Sequence, residues 1–208
     1  MQPKMAELLL ATNNMGKLAE YRDLLSGCGF SLVTPAEKGI SIDVAETGST
    51  FAENASIKAQ TLATTSGMLT LADDSGLEVD ALGGDPGVRS ARYAGKKATD
   101  TERIALLLKN MEGISLERRT ARFRCVIAIA DPGGRLELAD GSVEGVIAYT
   151  PRGNHGFGYD PVFLLPGKGL TMAELSPAEK NRISHRAVAA AEAWAILRYL
   201  ASKKVLGP

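Results

Sequence analysis

Short apolar runs alternate along this chain with stretches in which apolar residues recur every three or four positions. Residues 7–11 (ELLLA) predict a buried first strand. After the polar stretch 12–17, Leu18, Tyr21, Leu24 and Leu25 share one helical face that closes at Ser26-Gly27, and residues 30–34 again suit a strand. Strand, loop, helix, strand is a βαβ opening. Thr50 and Glu53 have capping-box spacing ahead of a helix through Ala55, Ala59, Leu62 and Ala63, with a stop at Ser66-Gly67. The apolar run 68–72 then meets Asp73-Asp74-Ser75-Gly76. This predicts a buried strand that ends in a polar turn at the end of the sheet where open α/β folds bind ligands. Successive strand residues face opposite ways, so Asp73 and Asp74 should diverge, with one of them aimed into a cleft.

Thr99 and Glu102 offer a second capping box, for a helix through Ile104, Leu107 and Leu108 to Gly113. Residues 120–131 alternate, with Ala121, Phe123, Cys125, Ile127 and Ile129 on one side and Arg122 and Arg124 on the other. A turn at 131–134 precedes two expected strands, near 135–138 and 142–149, and residues 161–164 return to strand. Ser176 and Glu179, with Pro177 at the first helical position, form a third capping box. A last helix should begin near Ser184-His185, with Ala187, Ala190, Trp194, Leu197 and Ala201 as an apolar stripe for the core or a dimer contact. The expected fold is α/β: a mixed sheet flanked by helices, one domain over residues 1–208, with two lobes around a cleft.

Lys+Arg and Asp+Glu number 24 each, so the formal net charge is zero. That balance gives no sign of a nucleic-acid coat or a membrane-surface protein. Without a membrane-length apolar run or a signal-peptide pattern, and with only two widely spaced cysteines, the chain is expected in the cytoplasm. Its two histidines exclude a multi-histidine zinc site. P-loop, GxGxxG and GxSxG motifs are all missing.

Four polar sets remain. Thr12, Asn13, Asn14, Met15, Gly16 and Lys17 lie between the first strand and helix, where backbone N–H groups, amides and a lysine suit phosphate oxygens; a capped surface turn suits them as well. Glu46, Glu53, Asp73 and Asp74 are oxygen donors for a divalent cation, although Glu53 already serves as a capping residue. Gly156-Phe157-Gly158-Tyr159-Asp160 pairs close backbone approach with aromatic rings for stacking on a flat base, or is a plain glycine-rich loop around a core aromatic. Lys180 with His185 and Arg186 supplies donors for phosphate or for a carbonyl oxygen. Together the four sets describe a nucleotide with its metal.

The stretches ATNNMGKLAEY, ETGSTFAENASIKA, LADDSGLEVDALGGDPGVRSARYAG, GFGYDPVF and AELSPAEKNRISHR occur in this order between Ala11 and Arg186. In them the chain resembles the inosine triphosphate pyrophosphatases, the Ham1-like non-standard purine NTP pyrophosphatases. The resemblance implies an elongated two-lobed α/β fold, a homodimer, and Mg²⁺-dependent hydrolysis of ITP, dITP and XTP to monophosphate and pyrophosphate. It implies phosphate binding by Thr12 through Lys17, and Asp74 as metal ligand and proton acceptor with Ser75 beside it on the substrate. Phe157, Gly158, Tyr159 and Asp160 would clamp the base, and Lys180, His185 and Arg186 would complete the substrate site. Many relatives carry two consecutive acids before the Thr-Gly of the second motif, where this chain has Ala45 and Glu46. Glu46 is then the remaining candidate second metal ligand. The missing acid opens one alternative, a nucleotide-binding regulator that keeps the pocket without the chemistry; a separate one is a related nucleotide pyrophosphatase fold acting on modified pyrimidines, which a substrate panel would expose.

Overall fold

The computed structural model describes residues 5–203. Strands β1 (Ala6–Leu10), β2 (Phe30–Val33), β3 (Thr70–Val79), β4 (Thr120–Ala130), β5 (Leu136–Ile147), β6 (Phe163–Leu165) and β7 (Leu170–Thr171) form one sheet in the order β2-β1-β3-β4-β5-β6-β7. The helices are α1 (Met15–Leu24), α2 (Phe51–Ser66), α3 (Asp100–Asn110), α4 (Pro177–Ile183) and α5 (His185–Ser202). β1 pairs in parallel with β2 and with β3, whereas β5–β6 and β6–β7 are antiparallel, so the sheet is mixed as expected. Among the described residues, no helix is long and apolar enough to cross a membrane.

Contacts divide the chain into two units. The first holds residues up to Asp74, Val126–Gly141 and residues from Val188 onward; the second holds Ser75–Cys125 and Ser142–Ala187. In the first unit Leu8, Leu9, Leu10, Tyr21, Ala55, Ala59, Leu71 and Ile127 are completely buried. In the second, the α3 residues Ile104 and Leu107 pack in one cluster with Leu77, Phe123, Phe163 and Met172. There the buried guanidinium of Arg119 donates to the carbonyls of Ile147, Met111, Ile114 and Ala148, and lies under the Tyr149 ring. It satisfies backbone acceptors that would otherwise be stranded in the interior.

The expected capping boxes form, with one exception. Thr99–Glu102 and Ser176–Glu179 form reciprocal capping boxes. Thr50 caps α2 by accepting from Glu53 N, but the Glu53 carboxylate turns to the N–H and hydroxyl of Ser49 instead of closing the box. Three expectations are corrected. β3 does not stop at Ala72; it carries Asp73, Asp74, Ser75 and Gly76 in its middle, and its hydrophobic partners resume at Leu77 and Val79. The two strands expected near 135–138 and 142–149 are a single strand, which runs straight through Asp140-Gly141. On α5 the buried stripe is Ala189, Ala190, Ala193, Leu197 and Leu200, and Trp194 is at its exposed edge, donating to the carbonyl of Ser26.

Candidate active site

In the first unit, a cluster of opposite charges surrounds the acidic middle of β3. α1 begins at Met15, inside the polar stretch 12–17, because the Asn14 side chain caps it by accepting from Lys17 N at 3.1 Å. Thr12 Oγ1 in turn accepts from Asn14 N at 3.1 Å. The capped turn is therefore real, and it leaves Asn13, Asn14 and Met15 exposed at a helix N-terminus. Lys17, from the first turn of α1, reaches back to Asp73, with Nζ 2.8 Å from Oδ2. From α2, Asn54 donates to Asp74 Oδ2 at 3.0 Å, and its own Oδ1 accepts from Gly48 N at 2.8 Å. Gly48 must be small for this: a Cβ there would lie 2.6 Å from Glu53 Cβ and 2.9 Å from Asn54 Oδ1. One turn further along α2, Lys58 Nζ donates to Glu46 at 2.9 Å and to the Asp73 carbonyl at 2.5 Å.

These contacts set the proton affinities. Burial pushes the Asp74 carboxyl above its ordinary value and Glu46 adds to the shift; Lys58, the Asn54 hydrogen bond and Lys17 oppose it. For Lys58, burial works against the charge, but Asp73, Asp74 and Glu46 overcome it and hold the ammonium on. Asp74 is thus a buried carboxylate with raised proton affinity among cations, the state expected of a group that takes a proton from water.

In the second unit, Phe157 is the centre. Its ring lies under two cations, Lys180 Nζ at 4.8 Å and Arg186 Cζ at 5.5 Å from the centroid. Asp160 Oδ2 accepts both Phe157 N at 2.9 Å and Lys180 Nζ at 2.5 Å. Lys180 and Asp160 are a buried pair. The loop closes so tightly on this carboxylate that a Cβ at Gly156 would fall 2.0 Å from Asp160 Oδ2. Gly158 N donates to Asp100 Oδ2 at 2.7 Å. The Tyr159 ring is buried in the core, and its hydroxyl donates to the Ser90 carbonyl at 2.9 Å. Arg186, wholly buried, donates to Ser75 Oγ at 2.9 Å. His185 stacks on Phe123, with centroids 4.7 Å apart.

Comparison with known proteins decides the family. The Ham1 family model matches residues 8–196. The chain belongs to the Ham1 family. It is 50% identical over 193 residues to the dITP/XTP pyrophosphatase of Bacillus licheniformis, covering 93% of this chain and 98% of the relative. To the dITP/XTP pyrophosphatase of Desulforamulus reducens it is 53% identical over 194 residues, covering 93% and 96%. The solved structure of a HAM1 protein from Coxiella burnetii superimposes with a TM-score of 0.85 at 46% identity, over 93% of this chain and 98% of that one.

This Ham1 chain uses residues that the sequence motifs alone did not single out. Asn54 and Lys58 recur at the i+3 and i+7 positions from the buried Phe51. Two polar residues on an apolar helical face are the signal that would have exposed them. Tyr159 and Asp160, expected against the base, spend a hydroxyl and a carboxylate oxygen on holding their own loop. Glu46, the candidate second metal ligand, is ion-paired with Lys58, while Ala45 is exposed. The donor chemistry fits a hard divalent cation. Asp74 and Glu46 are carboxylates close enough for Glu46 to raise the proton affinity of Asp74, a repulsion that a cation would relieve. Among the described residues, no three or more acidic, His or Cys side chains form a metal cage. Mg²⁺ commonly takes only one or two carboxylates and completes its shell with waters and phosphate oxygens. Nothing in the site or among the relatives favours a regulator without chemistry.

Proposed function

We propose that this protein hydrolyses the non-standard purine nucleotides dITP, XTP and ITP, with water, to the nucleoside monophosphate and pyrophosphate. The observation that carries the proposal is the cluster on β3: the buried Asp74 carboxylate held by Asn54, beside Asp73 paired with Lys17 and Glu46 paired with Lys58, in a chain whose relatives at about half identity are dITP/XTP pyrophosphatases. The open N–H groups at the start of α1, with Lys17 and Lys58, neutralise phosphate oxygens. Asp74 orients a water and takes its proton, and Asn54 holds the carboxylate in place. Such a reaction asks little covalent chemistry of the protein; neutralised charge and an activated water lower the barrier. Asp74 and Glu46 would hold Mg²⁺, which would supply further charge neutralisation.

The base stacks on the Phe157 ring. Lys180 and Arg186 then act as donors toward the 6-oxo group of hypoxanthine or xanthine. Adenine presents an amine there, and a buried donor left facing it costs about 1–3 kcal/mol. We further propose that the protein works in the cytoplasm as a homodimer, which sedimentation would test. The proposed chemistry is checked by the products of XTP. Xanthosine monophosphate and pyrophosphate in equal amounts are expected with Mg²⁺ and not with EDTA. A diphosphate with inorganic phosphate would mean cleavage at a different bond, and undiminished turnover in EDTA would remove the metal.

A further inference from the structure

Both peptide groups that flank Phe157 are held by carboxylates. On one side Phe157 N donates to Asp160. On the other, the peptide leaving Phe157 carries Gly158 N, which donates to Asp100 at 2.7 Å. Two fixed peptide planes determine the backbone torsions between them, and hence the direction of the Phe157 side chain. Asp100 comes from a distant part of the chain, the first residue of α3, and its other oxygen is ion-paired with Arg103. Arg103 is itself anchored by donating to the Ala98 carbonyl at 2.5 Å. The helix start does not depend on this carboxylate, because Thr99 and Glu102 already close a reciprocal capping box. Gly158 accepts the arrangement because its φ of +63° is a left-handed conformation that glycine adopts without strain.

We infer that Asp100 is a positioning residue for substrate binding: through Gly158 N it holds the loop so that the Phe157 ring stays fixed as the platform for the base. The inference rests on the proposed stacking of the base on Phe157 and adds a residue outside the nucleotide motifs. Asp100→Ala removes the acceptor. Asp100→Asn keeps an oxygen for Gly158 N while losing the charge toward Arg103. Glu102→Ala weakens the same helix end without touching the loop.

The test combines ITP kinetics, thermal melting and amide hydrogen exchange over residues 156–161. Asp100→Ala should raise KM for ITP about tenfold, with kcat within about threefold of native, and should speed exchange at Gly158. Asp100→Asn should recover most of both, and Glu102→Ala should lower the melting temperature with KM and loop exchange unchanged. Native exchange at Gly158 in Asp100→Ala would overturn the inference even if ITP is hydrolysed normally, as would an equal rise of KM in Glu102→Ala. A native KM in Phe157→Ala would instead overturn the base-platform reading, and exchange in Asp100→Ala would still report on the positioning contact alone.

Discussion

Asp74→Asn is expected to slow pyrophosphate release by about 10²–10⁴-fold, the usual contribution of a positioned general base, and at the same time to melt at a higher temperature than the native chain. The two effects share one cause. Asp74 is nearly buried, and burial raises its proton affinity in the folded state above the unfolded value. A carboxyl shifted in this direction stabilises the fold fully only below its unfolded pKa, about 4. That contribution is lost as pH rises through the folded value. At neutral pH the ionised group is therefore a burden, which the isosteric amide removes. Asn54 can still donate to the oxygen that remains. Melting in EDTA, so that no bound cation masks the charge, paired with turnover in Mg²⁺, measures both. A slower and less stable variant would mean that Asp74 is mainly structural; undiminished turnover would take it out of the mechanism.

Lys180→Met should have the largest effect on stability, a loss of about 3–5 kcal/mol, as is typical when one partner of a buried ion pair is removed. The Lys180 and Asp160 side chains are only 5% and 3% exposed, so solvent cannot replace the missing ammonium. Asp160 would lose its buried ammonium partner while still accepting from Phe157 N, and the loop that presents the ring would loosen. The double variant Lys180→Met with Asp160→Leu should regain part of the loss, since no uncompensated charge stays buried. Urea unfolding of native, single and double variants gives the coupling directly. A single variant within about 1 kcal/mol of native would show that the pair contributes little net stability.

Much of the fold was legible because local chemistry and tertiary packing agree. The capping boxes at Thr99 and Ser176 start helices where their spacing says they should, and the βαβ opening follows from apolar runs separated by a turn. Legibility failed where packing overrides local preference. Asp73-Asp74-Ser75-Gly76 is turn-forming by composition, yet Lys17, Asn54 and Arg186 supply partners to its side chains, and the strand continues. Asp140-Gly141 likewise stays extended inside β5. In the site, the motif residues named from sequence lie in the two clusters, but their division of labour does not follow from spacing. Asp160 and Tyr159 hold the loop, while Phe157 presents its ring beneath Lys180 and Arg186. Asn54 and Lys58 interrupt the apolar face of α2, a pattern legible in the sequence, whereas Asp100 is identified only by its contact with Gly158.

The most direct measurement is the ratio of kcat/KM for dITP and XTP to that for dATP and ATP, read as pyrophosphate release in Mg²⁺. At about 1–3 kcal/mol for each N–H that meets the adenine amine where a 6-oxo oxygen would accept, two such contacts predict a preference of at least about 30-fold for the 6-oxo nucleotides. Equal turnover of ATP and XTP would contradict base reading by Lys180 and Arg186, and no release from any of the four would contradict the pyrophosphatase itself.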